Sequence, residues 1–269
     1  MLDYTGLLSR QARPLRCTLG QTGFAKLGVK VVCLFMVLVY EWILRATNNV
    51  PRQCYLDAND RRLVVKEELS KLPAARFEGD IHIVDDAEQL QSFLPKLLAE
   101  ELLGFDTETR PSFRAGERYR PAILQLACFR EVYLFRLHRI GGLPPLLVEL
   151  LQRSHPPKAG IGLQQDIAGL RRWSPLCFQQ GALLDLVPLA QSLGFPRPNL
   201  QTLAAQLLGV RVSKKARLSN WERLKLTPSQ IAYAAVDAWI SRQLALRLLE
   251  LKSSSEVVRN QNCTSSALQ

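Results

Sequence analysis

Two carboxylates follow a short apolar run near the middle of the 269-residue chain. The run Leu102–Phe105 has the character of a buried strand, and it leads directly into Asp106 and Glu108. Because side chains alternate across a strand, these two carboxylates lie on one face, about 7 Å apart along the backbone. Charges this close repel unless a cation lies between them, and hard divalent cations such as Mg²⁺ prefer oxygen ligands. The alternative interpretation is an ordinary pair of solvent-facing acids.

A third acid, Asp166, follows a predicted short strand that ends in Gly160-Ile161-Gly162. We expect a helix to begin near Gln164, which puts Asp166 in its first turn. The helix dipole favours a carboxylate at that position, so a purely structural acid is the competing explanation.

The fourth acid lies on a helix whose start is well defined by the sequence. Thr227, Pro228 and Gln230 form a capping box with proline at the first helical position. Tyr233 and Asp237 are four residues apart on this helix, so they share one face. Alanines around them allow a neighbouring element to approach closely. A Tyr–Asp surface contact without chemistry remains the alternative.

Together these residues resemble the motifs of the DEDD superfamily of 3′–5′ exonucleases, in the branch with a tyrosine in its third motif: Asp106, Glu108, Asp166, Tyr233 and Asp237. Within that superfamily the chain resembles the exonuclease-domain relatives of ribonuclease D and of the Werner syndrome exonuclease domain. The segments Phe105–Pro111, Ile123–Ala127 and 219–239 carry the same resemblance. It extends over about residues 77–250 and does not cover residues 1–60.

This resemblance implies an α/β, ribonuclease H-like fold with a mixed five-stranded sheet flanked by helices. It implies two divalent cations, Mg²⁺ or Mn²⁺, and no small-molecule cofactor. By the family pattern Asp106, Glu108 and Asp237 ligate one ion, Asp106 bridges to the second, and Asp166 acts through water. Tyr233 orients the attacking water. Such an enzyme releases nucleoside monophosphates from the 3′ end of DNA or RNA, with single-stranded 3′ ends as the expected substrate.

Two basic clusters flank the acidic motifs and are candidates for phosphate binding. One follows the first motif and contains Arg110, Arg114, Arg118 and Arg120; the other precedes the third motif and contains Arg211, Lys214, Lys215 and Arg217. Solvated surface charge is the alternative for both. Phe105 and Phe113 are candidates for stacking on terminal bases, and a core position is the alternative for Phe105.

Alternating apolar patterns and capping signals predict strands and helices arranged around one sheet. The expected strands are 81–84, the run through Asp106, 122–127, 131–135, 158–161 and 183–186. The expected helices are 87–100, 144–153, 164–173, 187–193, 200–208 and 228–251. The sequence therefore indicates one α/β domain over residues 61–251, followed by a Ser-rich tail, 252–269, that is expected to be disordered.

The first 60 residues differ from the rest in charge and pattern. Residues 1–76 carry 12 basic and 6 acidic side chains, more than half of the net charge of +11. The apolar run 31–40 is shorter than the roughly 20 residues that a membrane helix needs. Three interpretations of this N-terminal segment remain open. It is a signal or membrane anchor, a helix that packs on the domain, or translated sequence upstream of the true start, with Met36 as an internal candidate. The last is favoured.

Six dispersed cysteines and three histidines show no metal-ligand spacing, which argues against a zinc site or a disulfide scaffold. Scattered thiols suit a reducing compartment, and a cytoplasmic location is expected. Two rival functions are a nucleic-acid-binding domain of the same fold without catalysis, and a nuclease tethered to a membrane by residues 31–40. A binding-only relative would usually lack an acid or the tyrosine, and all five residues are present here.

Overall fold

The computed structural model describes residues 66–114 and 116–266. Within these residues six strands are numbered in chain order: β1 Asp80–Val84, β2 Leu103–Glu108, β3 Ile123–Ala127, β4 Glu131–Phe135, β5 Lys158–Gly160 and β6 Leu183–Asp185. The helices are α1 Lys66–Lys71, α2 Gln89–Ala99, α3 Leu137–Ile140, α4 Pro145–Gln152, α5 Gln164–Leu170, α6 Leu186–Ser192, α7 Leu200–Leu208 and α8 Pro228–Ser266. Every strand predicted from the sequence is present at nearly the predicted bounds.

The strands form one mixed sheet in the order β1-β4-β3-β2-β5-β6. The hairpin of β3 and β4 is antiparallel, β2 is antiparallel to β3, and the pairs β1–β4, β2–β5 and β5–β6 are parallel. The α/β, ribonuclease H-like prediction is confirmed, but the expected count of five strands is wrong. The sixth is the three-residue edge strand β6, whose pattern had indicated a strand and which pairs along its whole length with β5.

Strand β2 lies between β3 and β5 and has helices on both faces. Phe105 is 1% exposed and packs in a core with Leu124 and Leu126 of β3. It therefore belongs to the core, and the suggestion that it stacks on bases is wrong. Strand alternation explains this, since Phe105 points away from the face that carries its neighbour Asp106. On that other face α8 approaches so closely that a Cβ added to Gly104 would lie 2.0 Å from the carbonyl oxygen of Ala238.

Helix α8 is the principal helix on the face that carries Asp106. The predicted capping box is present. The backbone N–H of Gln230 donates a hydrogen bond to Thr227 Oγ1 at 3.2 Å, and the backbone N–H of Thr227 donates to Gln230 Oε1 at 3.0 Å. The buried alanines Ala234, Ala235 and Ala238 pack with side chains of β3 and β4. Small side chains let the helix axis come near the sheet, and this brings Asp237 of α8 to the end of β2.

The helix continues to Ser266, beyond the predicted end near Leu251 and into the tail that was expected to be disordered. Serine hydroxyls bond back to carbonyl oxygens one turn earlier, from Ser253 and Ser254 to Glu250 and from Ser255 to Lys252, at 2.7–3.0 Å. Such local bonds let serine take part in a helix that its composition does not predict. Residues 1–60, including the proposed anchor 31–40, lie outside the described residues. Among the described helices, none is both long and apolar enough to cross a membrane.

Candidate active site

The end of β2 and the middle of α8 bring three acids together. Asp106 and Glu108 project from the same face of β2, as their spacing predicts, and Asp237 reaches them from the helix above. One carboxylate oxygen from each lies within 4.8 Å of the other two. Glu108 and Asp237 are buried, with 6% and 4% exposure, while Asp106 is partly exposed. Residues 131 positions apart thus form one acidic cluster.

Asp166 is not one of the three converging acids and is linked to them through Thr107. It lies in the first turn of α5, as predicted, and its Oδ1 accepts a hydrogen bond of 2.5 Å from the hydroxyl of Thr107. Thr107 is the residue between Asp106 and Glu108, and its side chain faces the other way. The charge of Asp166 nevertheless raises the pKa of Asp106, so the two acids are electrostatically linked.

A residue outside the predicted set, Asp185, shapes the turn that leads to Asp166. It is the last residue of β6, and its carboxylate accepts the backbone amides of Gly162 and Leu163, both at 3.0 Å. Gly162 has φ +65°, a left-handed conformation that glycine adopts without strain. Asp185 also caps α6 by accepting the amide of Val187 at 2.9 Å. Its place near the end of the predicted strand 183–186, just before a predicted helix, was the one sequence signal available, and it marks only the helix cap.

Tyr233 lies one helical turn before Asp237, as predicted. Its ring packs 6.0 Å from that of the buried Trp221, measured between centroids. Hydrogen bonding from Tyr233 lowers the pKa of Asp237, whereas burial and the charge of Asp237 raise the pKa of Tyr233 itself. The phenol is therefore protonated at neutral pH, and its hydroxyl sits beside the acids.

Burial raises the pKa of all four acids, and repulsion from neighbouring cluster acids adds to it at Asp106 and Glu108. Burial has the largest effect at Asp106, whose pKa is raised well above the ordinary value, and the charges of Asp166 and Asp237 add to it. The same causes raise the pKa of Glu108 to about 10, although the nearby Arg217 opposes the shift. Burial raises the pKa of Asp237 to about 7 and also raises that of Asp166. Without a cation these carboxyls resist ionising together at neutral pH.

The donor set fits divalent cations. It consists of carboxylate oxygens, which hard cations such as Mg²⁺ and Mn²⁺ prefer. The Oδ1 atom of Asp237 is buried and accepts no hydrogen bond from the described residues. A buried carboxylate oxygen without a donor is costly, and a bound cation would remove that cost while also offsetting the repulsion among the acids.

The first basic cluster divides into exposed and internally bonded residues. Arg114 and Arg118 are exposed, and Phe113, directly before Arg114, is 87% exposed. Arg110, by contrast, donates to Glu222 Oε2 at 3.0 Å, and its guanidinium lies 3.7 Å from the centre of the Tyr119 ring. Arg110 therefore links the loop after β2 to the segment before α8, a contact between distant segments that the sequence pattern does not reveal.

The second basic cluster lies on the loop between α7 and α8. Lys214, Lys215 and Arg217 are all exposed. Lys215 lines a cleft of about 170 Å³ together with Tyr233 and Asp237. The cleft places ammonium and carboxylate groups beside each other at the edge of the acidic cluster, which suits a ligand that carries phosphate.

Comparisons with known proteins agree with this geometry. The family model of the 3′–5′ exonuclease matches residues 81–251. The mouse (Mus musculus) bifunctional 3′–5′ exonuclease/ATP-dependent helicase WRN is 29% identical over 194 residues, covering 69% of this chain and 14% of that protein. The human (Homo sapiens) exonuclease mut-7 homolog is 30% identical over 209 residues, covering 67% of this chain and 24% of that protein. The chain thus spans less than a quarter of the length of these relatives.

Solved structures share the fold. The Nibbler EXO domain of Aedes aegypti superposes with a TM-score of 0.60 at 22% identity, covering 67% of this chain and 94% of that one. Ribonuclease D of Escherichia coli superposes with a TM-score of 0.58 at 20% identity, covering 66% of this chain and 46% of that one. The family match includes β2, α5 and the part of α8 that carries Tyr233 and Asp237. The chain therefore belongs to the 3′–5′ exonuclease family.

Proposed function

We propose that this chain is a two-metal-ion 3′–5′ exonuclease that releases nucleoside monophosphates from the 3′ end of a nucleic acid. The observation that carries the proposal is the convergence of Asp106, Glu108 and Asp237, with one oxygen of each within 4.8 Å of the others. The catalytic domain lies within residues 61–251, and family membership supports the reaction class.

The acids would hold two divalent cations, Mg²⁺ or Mn²⁺. Asp106, Glu108 and Asp237 would supply ligands for one ion, and Asp106 with Asp166 would hold the other. When bound, such a pair of ions neutralises charge on the attacking and leaving oxygens of a phosphodiester and lowers the pKa of a bound water. The raised pKa values of the free acids agree with this role, because a dication favours their ionised forms.

Tyr233 positions the nucleophilic water. Its hydroxyl donates toward Asp237, so the phenol oxygen keeps lone pairs that can accept a hydrogen bond from water. Burial raises the pKa of the phenol, so Tyr233 is not the base at neutral pH. Orientation is then its contribution, and proper alignment of a nucleophile is worth large factors in rate.

The substrate is gripped through its phosphates by residues on both sides of the acids. We assign this role to the exposed Arg114 and Arg118 on one side and to Lys214, Lys215 and Arg217 on the other. The exposed ring of Phe113 offers a surface on which an unpaired base can stack. Arg110 was predicted for the same role, and its bond to Glu222 indicates that it orders the loop that presents Phe113. A single-stranded 3′ end is the substrate that these features suit.

The test uses the full chain and 5′-labelled single- and double-stranded DNA and RNA, each with Mg²⁺, Mn²⁺ or excess chelator. We expect shortening from the 3′ end with monophosphate products, loss of activity in chelator, and fastest cleavage of a single-stranded substrate. Asp106→Asn serves as the inactive control. Binding of nucleic acid without cleavage under every metal condition would instead indicate a binding domain of the same fold.

A further inference from the structure

Gln125 is a buried polar residue beside the acidic cluster. On β3 it pairs directly with Asp106 of β2 along one edge of the strand and with Leu134 of β4 along the other edge. Directly opposed residues on antiparallel strands project from the same face. Gln125 therefore projects from the face that carries the acids and that α8 covers.

The amide of Gln125 is fully buried and has no partner among the described residues. The side chain is 0% exposed, and neither Nε2 nor Oε1 makes a hydrogen bond there. A buried polar group left without a hydrogen bond costs about 1–3 kcal/mol. Its neighbours along the same face of β3, Ile123 and Ala127, are apolar and pack in a core with the alanines of α8. A methionine would fill this place without that cost, so the amide needs another explanation.

The position of Gln125 supplies one. Cβ atoms of directly opposed residues are about 5 Å apart, so the amide borders the Asp106 carboxylate. Oδ1 of Asp106 accepts the amide of Thr107 at 2.9 Å, and Oδ2 accepts no hydrogen bond from the described residues. A glutamine donates a hydrogen bond and adds no charge to a cluster in which repulsion already raises the pKa values. Carboxylates that bind metals are commonly fixed by such donors, whose loss costs about 10–100-fold in metal affinity or activity.

We propose that Gln125 is a positioning residue for the acidic cluster: its Nε2 donates a hydrogen bond to the Asp106 carboxylate when divalent cations are bound, and so fixes the orientation of that ligand. This inference rests on the proposed function, because it assigns Asp106 to the metal site. The structure leaves both amide atoms of Gln125 without a partner among the described residues, so its Nε2 donor is available for this bond.

The test replaces Gln125 by methionine, which has a similar volume and no donor. Three quantities are measured for the full chain: the Kd for Mn²⁺ by calorimetry, kcat and KM on a single-stranded oligonucleotide, and the melting temperature in chelator. We expect Gln125→Met to weaken Mn²⁺ binding about 10-fold or more, to lower kcat by a similar factor and to leave KM nearly unchanged. The melting temperature in chelator should stay the same or rise, because a buried unpaired amide is removed.

Gln206 provides a matched control. It is a buried glutamine on α7, an element that carries none of the acids, so Gln206→Met should leave the Mn²⁺ affinity and kcat unchanged. If Gln125→Met does not fold, Gln125→Leu is a second apolar replacement. The same Kd measurement on this variant then shows whether loss of the amide weakens Mn²⁺ binding. A lower melting temperature in chelator with unchanged Mn²⁺ affinity would show that the amide only supports the core, and would overturn the inference.

The two levels of the proposal fail differently. If the wild-type protein cleaves 3′ ends and Gln125→Met binds Mn²⁺ with the same affinity as the wild type, Gln125 has no positioning role. The exonuclease assignment then stays intact. Wild-type protein that binds no Mn²⁺ would overturn both.

Discussion

The hydroxyl of Thr107 donates a 2.5 Å hydrogen bond to Oδ1 of Asp166, which joins the strand that carries two of the acids to the helix that carries a third. Thr107 lies between Asp106 and Glu108, so one strand end directs carboxylates to one face and this hydroxyl to the other. The relationship makes Thr107 the tether that holds Asp166 next to the cluster.

Removing that hydroxyl tests the tether. Thr107→Val keeps the shape and β-branching of the side chain but cannot donate to Asp166. The hydrogen bond lowers the pKa of Asp166, so its loss should raise that pKa further in the metal-free protein, which an NMR titration of the carboxyl measures. We expect kcat to fall about 10-fold. Thr107→Ser, which keeps the donor, should stay near wild type, and equal losses in both variants would contradict a role for the hydroxyl.

Much of the acidic cluster could be predicted from the sequence because each part depends on local geometry. The period of two along a strand aligns Asp106 with Glu108, and the capping box sets the start of the helix that carries Tyr233 and Asp237. Alternation alone also places Phe105 on the face away from Asp106, which favours the core position over base stacking, the other candidate role for this residue.

The parts that could not be predicted depend on contacts between distant segments. The bond from Arg110 to Glu222 spans 112 positions, and the register that places Gln125 opposite Asp106 is known only once β2 and β3 are paired. Asp185 has a local role as a helix cap, but its bonds to Gly162 and Leu163 come from the pairing of β5 and β6. No pattern along the chain reports such pairings.

Glu108→Gln should stabilise the metal-free protein. Burial and neighbouring charges raise the pKa of Glu108 from 4.5 to about 10, so its ionised form is disfavoured in the folded state. For an acid with a raised folded pKa, stability is lost as pH rises from the unfolded value toward the folded one. At pH 7 in chelator we therefore expect a gain of about 1–3 kcal/mol and several degrees in melting temperature, with activity lost.

A pH series of thermal melts in chelator measures the same effect. The wild-type protein should lose stability as pH rises from about 4 to 7, since Asp237 has its pKa raised from 3.8 to about 7 in the same direction. The decrease of melting temperature with rising pH should be smaller in Glu108→Gln. Glu101→Gln, at an exposed acid outside the cluster, should follow the wild-type curve. An unchanged or lower melting temperature for Glu108→Gln at pH 7 would argue against repulsion within the cluster.

Charge reversal on the loop before α8 tests phosphate binding. Lys214→Glu with Lys215→Glu should raise Kd for a single-stranded oligonucleotide and reduce the slope of log K against log salt by about 1.4, near 0.7 per phosphate contact. Turnover at saturation should change little. Arg130→Glu with Lys252→Glu makes the same change in charge at the far end of the hairpin and late in α8, and it should leave the slope unchanged. If both double variants show the same slope of log K against log salt, the loop contributes only general surface charge and does not bind phosphate specifically.

Tyr233→Phe separates water positioning from folding. The change keeps the ring that packs on Trp221 and removes only the hydroxyl next to Asp237. Misplacing a nucleophile by about 1 Å costs on the order of 100-fold, so kcat should fall by about that factor with KM little changed. Tyr133→Phe removes a hydroxyl that donates to Glu131 at 2.6 Å, away from the acids, and should keep wild-type kcat. Wild-type turnover in Tyr233→Phe would make the tyrosine structural.

The central claim is that these acids form a site for two cations. Calorimetric titration of the full chain with Mn²⁺, after treatment with chelator and gel filtration, counts the ions directly. We expect two ions per chain in the wild type, and fewer than two in Asp106→Asn because Asp106 contributes to both positions. A wild-type chain that degrades 3′ ends while binding one Mn²⁺ or none would contradict it.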